Sequence, residues 1–386
     1  MVLTVIIVNY RVKYFLEQCL CSVKKAMESI AENGVEVIVI DNNSSDGSLE
    51  YLRPRFPWVQ FIGNQKNAGF GAANNQGLER AKGKNILFLN PDTIIAEDSF
   101  IKCISLLQSE DGAGACGVRM IDGSGKYLKE SKRGFPSPWA SFCKFSGLTG
   151  IFPHSKIFAQ YYLGHLSEKQ NNEVAILSGA FMMAKKEAIS RTGGFDERFY
   201  MYAEDIDLSH RIRQQGFKNF YLASVSIIHF KGASTPRDFR RLKLFYKAMS
   251  QFTDKHFKGY AGGLNLFLMK AAIGASAGLA TLALWFQRKT PRPGTAKARI
   301  YLTGDPGSIF SVSEILLSRE KLLVKNPQDA QEIIFCEGPG FSFKKIIDFL
   351  PLNNRRARYR FHANNSNSII GSGSGNTMEE VFILPS

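Results

Sequence analysis

Five carboxylates fall within residues 196–207, Glu197 and the four at Asp196, Glu204, Asp205 and Asp207, among the aromatic side chains of Phe195, Phe199, Tyr200 and Tyr202. Carboxylates beside apolar surface lose hydration, which raises their pKa towards the range where they accept a proton from a hydroxyl. The same residues also suit a helix start, with Asp205 and Asp207 in its first turn and Arg211 and Arg213 further along. Other polar clusters follow apolar runs: Asp41 after residues 35–40, and Asn90-Pro91-Asp92-Thr93 after residues 86–89. His229 follows the apolar run 224–228.

The elements that must position these groups are legible from periodicity. Residues 3–8 form a β-branched apolar run too short to cross a membrane, with no basic region before it and no cleavage site after it. Apolar residues at 16, 19, 20, 23, 27 and 30 then mark an amphipathic helix, and 35–40 a second strand. Strand, helix, strand within about forty residues predicts a βαβ unit and a parallel sheet. Ligands of such sheets bind beyond the carboxyl ends of the strands, where Tyr10 and Asp41 both fall. A nicotinamide fingerprint needs a glycine-rich turn directly after the first strand, and that turn reads Asn9-Tyr10-Arg11. Gly69-Phe70-Gly71 lacks the third glycine and belongs to another unit.

Seven motifs in order extend these clusters. They are Val-Ile-Ile-Val-Asn-Tyr at 5–10, Asp-Asn-Asn-Ser-Ser-Asp-Gly-Ser at 41–48, Asn-Ala-Gly-Phe-Gly-Ala-Ala-Asn-Asn at 67–75, and Asn-Pro-Asp at 90–92. Ser-Gly-Ala-Phe at 178–181, Gly-Gly-Phe-Asp-Glu-Arg-Phe at 193–199 and Tyr-Ala-Glu-Asp-Ile-Asp-Leu at 202–208 complete the set. In that order the chain resembles the family 2 glycosyltransferases, nucleotide-sugar-dependent enzymes of the GT-A fold, from Val2 to about Ser234.

The resemblance implies a GT-A domain over residues 1–235 with a central, mostly parallel sheet. It puts Tyr10, Asp41 and Asn67 at the nucleotide-sugar donor, and Asp92 in place of the metal-binding carboxylate of the family's Asp-x-Asp motif. Here Asn90 replaces the first aspartate. His229 is then a candidate second ligand for Mn2+ or Mg2+, since hard cations take oxygen donors and manganese accepts imidazole. Asp205 matches the base of an inverting single displacement, with Glu204 beside it and Arg211 a candidate contact to the leaving diphosphate. The branch with Asn-Pro-Asp and a late histidine implies a rhamnose donor, with a uridine-diphosphate hexose or galactofuranose as alternative. A catalytically silent nucleotide-sugar-binding scaffold is the other class of reading.

Charge and hydropathy organise the remainder. The net charge is +15, and residues 231–300 hold 14 Lys and Arg against only Asp238 and Asp254. Residues 236–260 read as a basic amphipathic helix with Phe239, Leu242, Phe245, Tyr246, Met249 and Phe252 on one face, the pattern of a helix on an anionic bilayer. The alternative is the same face packed on the catalytic domain. Within 261–290, residues 264–286 are apolar save Asn265, Lys270, Ser276 and Thr281, about 34 Å of helix. Gly274-x-x-x-Gly278 suits close helix crossing in a membrane. No nucleic-acid recognition motif accompanies the charge. Six scattered cysteines suit a reducing cytoplasm.

After Pro291-Arg292-Pro293-Gly294, residues 296–386 read as a small α/β unit of unknown role. Strands are expected at 298–302, 332–336 and 358–362, and helices at 311–323 and 343–349. Its order is similar to Rossmann-like regions appended to bacterial membrane sugar-transfer enzymes. The resulting expectation is a membrane-associated glycosyltransferase on the cytoplasmic face, extending a lipid-linked glycan, with oligomerisation left open.

Overall fold

The computed structural model describes residues 1–231, 239–257, 298–352, 357–371 and 381–384, with the single positions 274, 278 and 281. Its first sheet is built from β1 (Leu3–Asn9), β2 (Val35–Asp41), β3 (Val59–Gly63), β4 (Asn85–Leu89) and β5 (Thr93–Ile95). It continues with β6 (Ala113–Ile121), β7 (Asn172–Val174), β8 (Phe181–Lys185) and β9 (Lys218–His229). The order is β3-β2-β1-β4-β8-β6-β9-β5, with β7 on β9. Strands β3, β2, β1 and β4 are mutually parallel. β8 runs antiparallel to β4 and β6, and β5 and β7 antiparallel to β9, so the sheet as a whole is mixed.

Every residue of β1 is buried, as a strand covered by helices on both faces must be. Leu3, Val5 and Ile7 point to the core under helix Lys13–Met27, and Ile6 to the opposite core with Phe88 and Leu208. That alternation fixes register, because a one-residue slip would exchange the two faces. The register sets Asn9 against Asp41 and Ile7 against Leu89. The strand order reverses between β1 and β4, so their carboxyl ends open a cleft at the switch point.

Residues Phe239–Phe257 form one helix. Part of the apolar face that matched a bilayer packs on the first domain: Phe252 is buried, with Ala248 and Phe257, against Phe199 and Ala203, while Leu242, Phe245, Tyr246 and Met249 are half-buried. Tyr202 meets the Phe245 ring at 5.7 Å, and Gln251 Nε2 donates to Arg198 O at 3.2 Å. Part of the basic charge is also spent on protein, since Lys255 and His256 both contact Asp207. Among the described residues no helix is long and apolar enough to cross a membrane, while the apolar run 264–286 lies outside them except at three positions.

The second sheet joins β10 (Arg299–Gly304), β11 (Leu322–Leu323), β12 (Glu332–Cys336), β13 (Arg358–His362), β14 (Ser368–Gly371) and β15 (Phe382–Ile383), in the order β11-β10-β12-β13-β14-β15. The helix expected at 311–323 is instead Pro306–Ser318. Asp305 caps it by accepting from Gly307 N and Ser308 N, and Pro306 supplies the pre-set φ of a first helical turn. Leu322–Leu323 pairs with β10 as a short strand.

This unit does not stand apart from the first domain. Phe335, Phe343, Ile347 and Phe361 share one core with Val12, Phe15, Ile94, Ile228 and Phe230. The Phe230 ring lies 5.5 Å from Phe15 and 5.3 Å from Phe361. Each such buried aromatic ring stabilises the contact by roughly 1.5–3 kcal/mol. Glu97 accepts from Phe343 N and Lys344 N, both at 2.8 Å, capping helix Phe343–Phe349 from the other domain.

Candidate active site

One side of the cleft is built at the ends of β1 and β2. Asp41 Oδ1 accepts from Asn9 Nδ2 at 2.7 Å and from Ser44 Oγ at 2.5 Å, and Oδ2 accepts from Ser44 N at 3.0 Å. The carboxylate thus closes the turn after β2 while Oδ2 keeps room for another donor. Asn67 Oδ1 accepts from Asn42 Nδ2 at 2.9 Å and Gly69 N at 3.0 Å. Its amide nitrogen makes no hydrogen bond among the described residues. Tyr10 is half-buried, with the Arg11 guanidinium 5.2 Å from its ring.

Backbone contacts carry this side to the acidic motif. Phe70 N donates to Tyr200 O at 3.0 Å. Gly69 has φ +90°, and a Cβ there would stand 2.7 Å from the same carbonyl, so the close approach needs glycine. Asn90 N donates to Ala180 O at 3.0 Å, tying the turn after β4 to the Ser178-Gly179-Ala180 turn. Gly179 N in turn donates to Asp205 Oδ2 at 3.0 Å.

The acidic motif opens on unusual backbone. Tyr202 and Ala203 have φ of 70° and 65°, consecutive non-glycine residues in the left-handed region, which costs about 1–2 kcal/mol each. That turn starts helix Glu204–Gln214 and places Glu204 and Asp205 together at its head. Asp205 Oδ2 also accepts from Arg133 Nη2 at 2.5 Å, and Oδ1 from Ile206 N at 2.8 Å. Arg133 donates further to Leu177 O at 2.6 Å. A Cβ at 179 would meet Asp205 Cβ at 3.2 Å.

Four of the five carboxylates separate by environment, and the fifth, Glu197, is exposed. Asp196 is held well below the usual carboxylate range by its hydrogen bonds to Arg198, with Lys255 also lowering it against the effect of burial. Burial would raise Asp207, but His256, Lys255 and Arg211 overrule it and hold it low. Glu204 is pushed up to about 8, by burial first and then by the charge of Asp205; its Oε2 is buried without a hydrogen-bond partner. Asp205 is the one paired to Arg133. Glu204 therefore carries a proton at neutral pH, and Asp196 and Asp207 are bound up in structural ion pairs.

Asp92 and His229 are brought together by sheet register. Thr93 faces His229 across β5 and β9, and Phe230 N donates to Asp92 O at 2.9 Å. His229 Nε2 lies 3.4 Å from Asp92 Oδ1. Both Asp92 Oδ1 and His229 Nδ1 are buried without hydrogen-bond partners. Orphaned acceptors of this kind are costly in a folded protein unless a ligand serves them. Among the described residues no group of three His, Cys, Asp or Glu could hold a metal ion, so these two are a partial ligand set that fits a cation shared with an anionic ligand. Lys231, just beyond His229, pairs with Glu130.

Arg211 stands outside the site. Its Nε donates to Asp207 Oδ2 at 2.7 Å, and its Nη atoms to Thr192 O at 2.6 Å and Gly194 O at 2.8 Å. That guanidinium holds the helix to the preceding turn and has no arm left for a diphosphate. Arg133, Asn9 and Ser44 are the residues sequence reasoning passed over. Asn9 and Ser44 lie inside quoted motifs, whereas nothing around Arg133 marks it.

Residues 4–193 match the model of glycosyl transferase family 2. The amino-terminal domain belongs to that family, and the chain is a glycosyltransferase. The matched span stops short of Glu204, Asp205 and His229. The chain is similar to the N-acetylglucosaminyl-diphospho-decaprenol L-rhamnosyltransferase of Mycobacterium tuberculosis, 29% identical over 248 residues, 61% of this chain and 78% of the relative. It is also similar to rhamnosyltransferase WbbL of Escherichia coli, 26% identical over 220 residues, 54% of this chain and 78% of the relative. Among solved structures it is similar to the mannosyltransferase PcManGT of Pyrobaculum calidifontis in complex with GDP-Man and Mn2+. That likeness has a TM-score of 0.47 and 16% identity, covering 75% of this chain and 76% of the other.

Proposed function

We propose that the enzyme transfers rhamnose, with inversion, from a nucleotide-diphosphate donor to a growing lipid-linked cell-surface glycan at the cytoplasmic face of the membrane. Asp205 accepts the proton of the acceptor hydroxyl as its oxygen attacks the anomeric carbon. The bond from that carbon to the diphosphate breaks on the opposite face, and the nucleoside diphosphate leaves. One observation supports this reading above the others: Asp205 is held at the head of helix Glu204–Gln214 by one cation, Arg133, and by Gly179 N, whereas Asp196 and Asp207 each contact several cations. Its pairing to Arg133 holds the carboxylate in place before the acceptor arrives.

Tyr10, Asp41 and Asn67 line the nucleoside side of the cleft in this reading, with Asn67's free amide and the spare lone pair of Asp41 as the groups that recognise it. Asp92 and His229 would hold Mn2+ or Mg2+, which when bound supplies positive charge to the donor's diphosphate. Rhamnose and the lipid-linked acceptor rest on what the relatives are named for.

The test is transfer from deoxythymidine-diphosphate-rhamnose, set against uridine-diphosphate sugars, to a polyprenyl-diphosphate-linked N-acetylglucosamine. The expected product carries rhamnose with inverted anomeric configuration, read by NMR. Preference for a uridine-diphosphate sugar would replace the donor, a retained configuration would remove the single displacement, and donor binding without turnover would make the chain a scaffold.

A further inference from the structure

Of the thirteen large apolar side chains that the described surface exposes, five fall between residues 139 and 157. Trp139, Phe142, Ile151, Phe152 and Ile157 are each 44–68% exposed. They belong to the long excursion between β6 and β7, which includes the short helices Pro138–Phe145 and Leu148–Ile151. The residues form one patch. Trp139 stacks on Phe142 at 5.7 Å and meets Phe158 at 6.1 Å, and Phe158 meets Phe152 at 5.2 Å. Trp139 Nε1 donates to Ile157 O at 3.1 Å, joining the two ends of the excursion. Apolar clusters of this size on a water-facing surface mark a binding surface.

The charge around the patch indicates what covers it. Residues 132–167 contain Lys132, Arg133, Lys144 and Lys156 and no Asp or Glu. Lys132 and Arg133 are spent on carbonyls and on Asp205, which leaves Lys144 and Lys156 at the patch. Lys144 Nζ lies 5.9 Å from the ring of Phe245 and Phe145 meets Tyr246 at 6.5 Å, so helix Phe239–Phe257 borders the patch. That helix adds Lys243 and Lys247, both exposed. Aromatic and aliphatic groups rimmed by lysines, without carboxylates among them, match the boundary between acyl chains and anionic headgroups. The base of the excursion is also informative. Arg133 and Ile176 exchange backbone hydrogen bonds there, and Arg133 holds Asp205.

We propose that the 139–157 patch dips into an anionic membrane surface and so brings the Asp205 end of the cleft to an acceptor whose lipid tail stays in the bilayer. The acceptor part of this statement rests on the reading given under Proposed function.

The experiment uses the full chain with Trp58→Phe and Trp285→Phe, leaving Trp139 as its only tryptophan. Vesicles of phosphatidylcholine and phosphatidylglycerol carry bromine on their acyl chains. Trp139 emission shifts to the blue and is quenched, more strongly than on neutral vesicles, and adding Phe142→Ser with Ile151→Ser abolishes the quenching. Unchanged emission on vesicles that sediment with the chain overturns the proposal. So does shielding of Trp139 from acrylamide without vesicles, which would mean that another part of this chain covers the patch, or a patch-dependent doubling of mass, which would mean a second copy. Transfer to a short-chain, water-soluble acceptor reads the reaction separately: transfer without quenching removes the patch alone, and quenching without transfer removes the proposed reaction alone.

Discussion

The two sheets of this protein present carboxylates in comparable places and use them differently. In the first, the ends of parallel strands β1, β2 and β4 bring Asp41 and Asp92 to the switch point. Asp92 Oδ1 is buried without a hydrogen bond and faces His229. In the second, order β11-β10-β12 also reverses after its first strand, and Asp305 follows β10. There both carboxylate oxygens are already served, Oδ1 by Gly307 N and Ser308 N and Oδ2 by Gly340 N. Those backbone donors hold Asp305 below the ordinary carboxylate range. Topology offers a crevice in each case, but only the first sets a buried carboxylate oxygen without a hydrogen-bond partner, Asp92 Oδ1, beside a histidine. Fold-level likeness alone would have assigned a ligand to both.

The largest effect expected from breaking this contrast is at Asp205. Asp205→Asn lowers transfer by about 10²–10⁴-fold, the usual contribution of a positioned base, with donor affinity unchanged. The variant also leaves the Arg133 charge without its partner, so stability falls by up to about 3 kcal/mol. Adding Arg133→Met recovers stability and leaves transfer absent. Denaturant unfolding and initial rates, measured together, separate the two effects; transfer within about tenfold of the parent would remove Asp205 as base.

Next comes the metal pair. Asp92→Ala or His229→Ala weakens donor binding by at least about tenfold in manganese and has little effect in a chelator. Titration calorimetry with and without the ion checks this. Equal weakening in both conditions would mean that the pair serves the fold and not a cation.

Much of this contrast was legible in the sequence, and the reasons it stopped are physical. Buried parallel strands read as continuous apolar runs, so β1, β2 and β4 and the polar turns that end them were readable, and the second sheet's β12 and β13 fell at the expected residues. The pairing of Arg133 with Asp205 was not, because it spans 72 residues and starts in a segment without periodicity. Helix Phe239–Phe257 shows a different limit. Periodicity identifies an apolar face but not what covers it, and here Phe199 and Ala203 cover its Phe252 end. The protonation of Glu204 depends on burial created by the left-handed turn at Tyr202 and Ala203, which no local propensity foretells.

Glu204 gives a smaller, pH-dependent effect. Its folded pKa of about 8 exceeds the ordinary 4.5, so the folded state holds a proton that the unfolded state releases between those values. Its stabilising contribution is complete below about pH 4.5 and is lost as pH rises through about 8, by up to about 1.4 kcal/mol per pH unit. Glu204→Gln flattens that slope in unfolding measurements between pH 6 and 9. An unchanged slope would place the ionised form of Glu204 in the native state and reopen it as a base.

The smallest effect sharpens the comparison from the other side. Asp305 is an N-cap with both oxygens satisfied, so Asp305→Ala lowers stability by no more than an ordinary lost cap does. Helix Pro306–Ser318 frays, and Gly340 N loses its acceptor. Neither donor affinity in manganese nor transfer changes, because both oxygens of Asp305 are engaged by backbone donors of the second unit. Thermal unfolding and donor titration on the same sample provide the check. If Asp305→Ala changed donor affinity as strongly as Asp92→Ala, the second sheet would be part of the site, and an unpartnered carboxylate oxygen would no longer distinguish the two crevices.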